Sequence, residues 1–515
     1  MKNKNKNTTT TTTFKNMVFK VVALFAAFVS TMLITRIVVA KCGSGLYGFY
    51  SLSIDFVNYA MLISVALNSM ASRYITISYY RDDRNKVKTY FSSVFFANIV
   101  LAIVLFTVGI IVIANLDRIV NIPEGMELDV QRLFAFVFLN FIITIIFSVF
   151  SVATFINNRV DIDSIRQTES YLIQLILVIV LFFNFKPRIA YLGMAVFVAG
   201  LYVGLINVRY TKKLAPDLLP IKTSYISFER IREIISSGMW NSVTRIGAII
   251  LNGLDLMIAN ILISPQAMGV LSVSKTLPKY FLSAIQGFAT IFSPSITIAY
   301  AQNDTKQVIK NINFSIKMCA IVTNVIAVIA IFLGRRIYEV WMPEQNPAVL
   351  QLLSAVAMLG YIVVMPLEPL WTVFTVVDKV KVSSLYLIIE SIVAIATVFS
   401  LLQIVPHGVW QLIVIAGVSS FFETLRGMIF LPISCATYLK VSKITFYRTI
   451  GRSLLAFSII SLLTIAMEKL FTNGILELLS LIILVVVFSG IVDWVVVLNK
   501  NERSIVAQKI FKKFN

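Results

Sequence analysis

Histidine occurs once in this 515-residue chain, at His407, and cysteine three times, at Cys42, Cys319 and Cys435. One histidine cannot build a His-ligated metal site. Three cysteines so far apart form neither a CxxC motif nor a disulfide framework. Charge is scarce as well, at 14% of residues against about 25% in a soluble domain. The missing charge is replaced by apolar residues, which make up 58% of the chain at a mean hydropathy of +0.86. That surplus is more than water-solvated domains of this length could bury. A soluble enzyme, a secreted disulfide scaffold and a disordered chain are therefore excluded, and a membrane protein is left.

A spanning helix needs about 20 mostly apolar residues. Fourteen such runs lie between residues 17 and 498, so the fold class is an all-α polytopic membrane protein of about fourteen transmembrane helices. Acidic residues are the scarcer sign, 25 against 45 Lys and Arg, for a formal net charge of +20. Thirty of the basic residues fall in the two tails and the even-numbered gaps, and only eight in the alternate gaps. The positive-inside rule then places both termini in the cytoplasm. The basic excess reports topology, and nucleic acid is not needed to explain it. The first run is too long for a cleaved signal, carries Arg36 and lacks an A-x-A site. Outward gaps are short. The longest, 115–132, is acidic, and none is the sizeable outer loop that a sugar polymerase needs to hold its acid and base groups, which weighs against an enzyme.

An internal repeat organises the runs. Sliding 48–87 by 221 residues onto 269–308 gives eleven identities in forty, among them Gly48/Gly269, Ser51/Ser272, Tyr59/Tyr280 and Asp83/Asp304. The offset lays the second run on the eighth. The unit is thus six helices, and an even unit makes parallel repeats about an axis along the membrane normal. The expected domains are a disordered cytoplasmic tail at 1–16, an N-lobe at 17–208 and a basic linker at 209–233. A C-lobe at 234–436, two added helices within 450–498 and a basic tail at 499–515 follow. Two six-helix lobes around a shared cavity make a transporter architecture.

Ionisable residues in spans cost about 2.5–3.5 kcal/mol each at mid-depth, so they usually face a cavity or a partner. At about 100° per residue, Ser237, Asn241, Arg245, Ala248, Asn252 and Asp255 share one stripe of the seventh run, 234–262. That stripe either lines water or packs on another polar helix. In the eighth run, 268–298, Lys275, Lys279 and Gln286 share a face beside Pro278. Two readings stand for Lys275, a cavity position or a side chain snorkelling to water; the same two stand for Arg36 in the first run. Asp55 lies on a polar face of the second run, 46–76, and Glu368 lies between Pro366 and Pro369 in a break that is either a hinge or a cation site. Glu423 and Arg426, spaced i, i+3, are expected to neutralise each other. The substrate-binding candidates are Arg36, Asn241, Arg245, Asn252, Lys275, Lys279 and Gln286, and the ion-coupling candidates are Asp55, Asp255 and Glu368. Several fixed cations in a low dielectric suit an anion, phosphate above all.

The segments Gly48-Phe-Tyr-Ser-Leu-Ser, Ala71-Ser-Arg-Tyr-Ile and Asp82-Asp83-Arg84-Asn85-Lys86 resemble the polysaccharide-transport flippases of the O-antigen (Wzx-type) branch. So do Gly238-Met-Trp-Asn and Met268-Gly-Val-Leu-Ser, with Asp255 between them. The resemblance implies the multidrug/oligosaccharidyl-lipid/polysaccharide exporter (MATE-like) fold. It further implies movement of a polyprenyl-diphosphate-linked oligosaccharide to the outer leaflet, with membrane lipids, a polysaccharide polymerase and chain-length machinery as partners. No cofactor is implied, and coupling to H⁺ or Na⁺ is left open. Two other readings stand: a cation-coupled multidrug exporter of the same fold, and a scaffold or sugar polymerase that transports nothing.

Overall fold

The computed structural model describes residues 2–504 except 158, 472–473 and 501, without side chains at 2–18, 21, 160, 241, 252 and 301. Residues 2–16, expected to be a disordered tail, instead continue span 1 backwards as one helix, Lys2–Cys42. The basic tail beyond 504 lies outside the described residues. All regular elements among the described residues are helical. Fourteen are long and apolar enough to cross a membrane, spans 1 to 14 in chain order. Spans 1 to 5 are Val22–Cys42, Ser44–Tyr80, Arg84–Ala114, Glu127–Ile156 and Asp161–Asn184. Spans 6 to 10 are Ala190–Leu214, Ser242–Leu262, Pro265–Tyr300, Thr305–Phe332 and Pro347–Val376. Spans 11 to 14 are Val380–Leu402, Val409–Tyr438, Tyr447–Glu468 and Ile475–Val496. Helices dominate because a backbone in hydrocarbon must hydrogen-bond to itself.

Span 5 begins earlier than its hydropathy suggests. Its first turns hold Asp161, Asp163 and Arg166, and these charges are paired inside the protein. Arg166 lies 2.8 Å from Asp163, and Arg159 lies 2.9 Å from Asp161. Arg166 also donates to Asn207 of span 6 and stacks on the Tyr210 ring. A polar start that looks like loop is thus helix, because its charges find partners.

The repeat is written into local geometry. Asp82 and Asn303, 221 residues apart, both adopt the left-handed conformation, with φ of 56° and 57°. The aspartates that follow both cap a helix: Asp83 accepts from Lys86 N at 3.1 Å, and Asp304 from Gln307 N at 2.9 Å. Repeat-equivalent residues also touch. The Ser272 hydroxyl donates to that of Ser51, and a Cβ on Gly48 would stand 3.0 Å from the Gly269 backbone. Contact between equivalent positions is what a two-fold relation places on its axis.

The chain divides into two compact units, Met1–Ser272 with Ser384–Ser391, and Val273–Ser383 with Ile392–Asn515. The division falls within span 8, between Ser272 and Val273, and not in the 209–233 linker. The linker is docked on the first half: Arg84 pairs with Asp217 at 2.9 Å, Ser227 N donates to Ser93 Oγ, and the Tyr90 hydroxyl donates to Glu233. The Tyr90 hydrogen bond and then Arg230, 2.9 Å away, hold the Glu233 carboxyl below the usual range. Span 7 in turn lies against span 2, so close that a Cβ on Gly238 would stand 2.0 Å from the Ala66 carbonyl oxygen. Within the first unit, Asn68, Asn98 and Ser148 join spans 2, 3 and 4 in a closed hydrogen-bonded set. Within the second unit, spans 13 and 14 pack on span 9 through Val328, Ile460, Leu481 and Val485.

Small residues at helix contacts let backbones approach, and this is a main source of packing energy in lipid. Gly238→Val is expected to force spans 2 and 7 apart at a cost of about 1–3 kcal/mol. Gly287→Ala, inside a helix and with nothing within 4 Å of its added Cβ, should not lower the thermal unfolding midpoint of the purified protein and should raise it slightly.

Candidate functional site

The first unit holds span 7 and its polar stripe. Gly238 anchors one end of the stripe on Ala66, and Gly253 anchors the other, where its carbonyl accepts from the Tyr59 hydroxyl of span 2. The opposite flank is fixed by span 11: the Ser391 hydroxyl donates to Gly247 O at 2.7 Å, and Thr244 and Ser384 share a hydrogen bond. Arg245 lies between these anchors, exposed and with no ion pair among the described residues. An unpaired guanidinium facing lipid tails would carry the full insertion penalty, so this surface is one that water reaches. Asn241 and Asn252 are on the same helix, but their side chains lie outside the described residues.

Arg36 of span 1 is likewise exposed and forms no ion pair among the described residues. Asp55 and Asp255 are both buried, and the Tyr59 ring lies within electrostatic reach of both carboxylates. The structure thus brings two of the three ion-coupling candidates to one tyrosine, whose hydroxyl is already committed to the Gly253 carbonyl.

The second unit holds the remaining candidates. Lys279 is exposed and Lys275 half-buried on span 8. Gln286 is exposed too, and its amide lies within electrostatic reach of the Glu368 carboxylate. Glu368 lies in the 3₁₀ turn Met365–Leu370, where Pro366 and Pro369 break span 10. The Glu423–Arg426 pair, 3.6 Å apart and buried, acts on it electrostatically. Arg426 opens a π-helical turn, Arg426–Phe430, inside span 12. Such turns occur often at functional sites, and no periodicity in the sequence announces one.

The arrangement can do two kinds of chemistry. Exposed guanidinium and ammonium groups can hold an anion, and carboxylates among polar groups can hold a proton or a small cation. No group of three or more His, Cys, Asp and Glu able to hold a metal occurs among the described residues.

A family profile described as "Polysaccharide biosynthesis protein" matches residues 10–292, more than half of the chain. The chain belongs to that family. Bacillus subtilis (strain 168) has a relative, "Uncharacterized membrane protein EpsK", that is 26% identical over 429 residues, 82% of each protein. Among solved structures, a multidrug resistance MATE transporter in an inward-facing conformation matches with a TM-score of 0.65 at 12% identity. That match covers 82% of this chain and 99% of the other. The lipid II flippase MurJ, inward closed, matches with a TM-score of 0.63 at 14% identity, over 92% and 98% of the two chains. At these identities the structural matches show the fold, and the family match shows the kinship. The chain is a multi-pass membrane protein of the polysaccharide biosynthesis family with the MATE-like fold.

Exposure of Arg245 is testable by chemistry. The native thiols of Cys319 and Cys435 are buried and that of Cys42 is half-buried. In a Cys42→Ser background, Arg245→Cys is expected to react with a charged, water-soluble thiol reagent. Ser391→Cys, fully buried in the native packing, should react at least about tenfold more slowly, since it reacts only from locally opened states.

Proposed function

We propose that this protein is a flippase carrying a polyprenyl-diphosphate-linked oligosaccharide across the cytoplasmic membrane by alternating access. The cargo would be a repeat unit of O-antigen, capsule or exopolysaccharide. The observation that carries the reading is Arg245, unpaired and exposed on span 7 in a member of the polysaccharide biosynthesis family. A guanidinium presents a rigid fork of donors that fits a diphosphate oxygen pair, and Arg36 adds a second. In the second unit, Lys275 and Lys279 are the cationic candidates on span 8. The polar head crosses through the wet interior while the lipid tail stays in the bilayer. Asp55, Asp255 and Glu368 are the groups through which H⁺ or Na⁺ would drive the cycle. The basic tails and even-numbered gaps place both termini in the cytoplasm. A polysaccharide polymerase and its chain-length machinery would receive the product.

A second reading, a cation-coupled multidrug exporter, is favoured by the MATE likeness. It fits the unpaired, exposed Arg36 and Arg245 less well, since a site for cationic drugs needs acidic and aromatic walls. Losing a charge-assisted hydrogen bond removes about 1.5–3 kcal/mol, so Arg245→Glu should lower translocation of lipid-linked sugar about ten- to a hundredfold in reconstituted vesicles. Surface polysaccharide should disappear from cells whose membranes still contain the variant. Unchanged polysaccharide, or transport of a cationic dye in place of the sugar, would sink the flippase reading.

A further inference from the structure

Span 14 carries a carboxylate that the proposed transport cycle does not use. Asp493 is fully buried, and its Oδ1 accepts from the Asn324 amide of span 9 at 2.8 Å. Its Oδ2 has no hydrogen-bond partner, and neither does Asn324 Oδ1. Both residues have no exposed surface. Thr323 Oγ1, on the residue before Asn324, and Ser489 Oγ, one turn before Asp493 in the sequence, are also buried and unpartnered. Asp493 Oδ2 and Asn324 Oδ1 are thus two buried acceptors without a donor on two packed helices.

The nearby cations are already engaged. Lys317, two turns from Asn324 along span 9, is paired with Glu502 at 2.8 Å. Arg452 of span 13 donates to Asn499 Oδ1, and Arg503 donates to the carbonyls of Leu498 and Val495. Glu468 and Glu477 belong to the opposite end of the hairpin made by spans 13 and 14, where Arg336 lies 3.7 Å from Glu468. No side chain described on spans 9, 13 or 14 therefore neutralises Asp493. An ionised carboxylate held by one amide hydrogen bond in a buried site leaves an uncompensated charge, at a penalty of several kcal/mol. The Asn324 oxygen beside it lacks a donor at a further cost.

One positive charge removes both deficits, and we propose that Asp493 and Asn324 form a site for a single monovalent cation. A proton on Oδ2 would cancel the charge and create the hydroxyl donor that Asn324 Oδ1 lacks. A sodium ion would instead take Oδ2 and Asn324 Oδ1 as ligands. Either way the ion clasps span 14 to span 9. The site shares no residue with Asp55, Asp255 or Glu368.

The test uses the purified full-length chain in detergent, read by thermal unfolding with choline replacing sodium. Asp493→Asn keeps the shape and supplies a permanent N–H donor without needing an ion. If the ion is a proton, the wild-type midpoint falls as pH rises, and an infrared band of a protonated carboxyl is present that Asp493→Asn lacks. If it is sodium, sodium but not choline raises the wild-type midpoint by several degrees, and the variant does not respond. Asn324→Ala keeps the carboxylate. It should weaken a sodium response by removing a ligand, or move the pH response upward by removing the N–H that favours the ionised form. It therefore carries the test alone if Asp493→Asn cannot be recovered. Identical pH and sodium responses in wild type and variant overturn the site. These measurements need no transport, so an intact ion response in a protein that moves no lipid-linked sugar would sink the flippase reading only.

Discussion

The hydrocarbon interior of a bilayer offers no water to a polar group, and each element of this protein is arranged around that. Backbone amides satisfy themselves within fourteen helices. Polar side chains that must be buried are gathered into sets that satisfy one another, as Asn68, Asn98 and Ser148 do across three helices. Charges follow the same rule. Arg166 is enclosed by Asp163, Asn207 and the Tyr210 ring, and Glu423 holds Arg426. Against this background an unpaired charge stands out. Arg36, Arg245 and Lys279 have no ion pair among the described residues and remain exposed, which is tolerable only where water reaches them.

The same solvent also removes the hydrophobic drive for helix association, so close packing has to take its place. Glycine supplies it where backbones meet. Gly238 meets Ala66, Gly360 meets Ser420, and Gly269 meets Ser44, each so closely that a Cβ would overlap the facing carbonyl. The repeat multiplies this economy, because Gly48 and Gly269, equivalent in sequence, form one contact with each other. One sequence pattern has been used twice and then made to face itself.

Much of the candidate site was legible as a list of residues and much less as an arrangement. The stripe on span 7 followed from helical periodicity alone, and the exposure of Arg245 agrees with it. The nearness of Gln286 to Glu368 did not follow, because Glu368 lies 82 residues further on, in a turn broken by two prolines. Asp493 and Asn324 were not picked out either. Each is one polar residue in an apolar run, and their 169-residue separation hides the pairing. The first turn of span 5 read as loop because hydropathy cannot see that its charges are neutralised by neighbours in space.

Composition and periodicity by themselves determined that the chain is a polytopic helical membrane protein, how many helices it has, and that its halves are related. Those properties follow from local requirements: a length to cross hydrocarbon, an internally bonded backbone, and the spacing of identical residues. Only the tertiary structure decided which polar groups are partnered and which are left unsatisfied. Span 7 packs with span 2, the linker docks on span 3, and the Asp493 carboxylate is buried with one donor. A charge's partner is set by distance in space, and in a folded membrane chain that distance has no fixed relation to distance along the sequence.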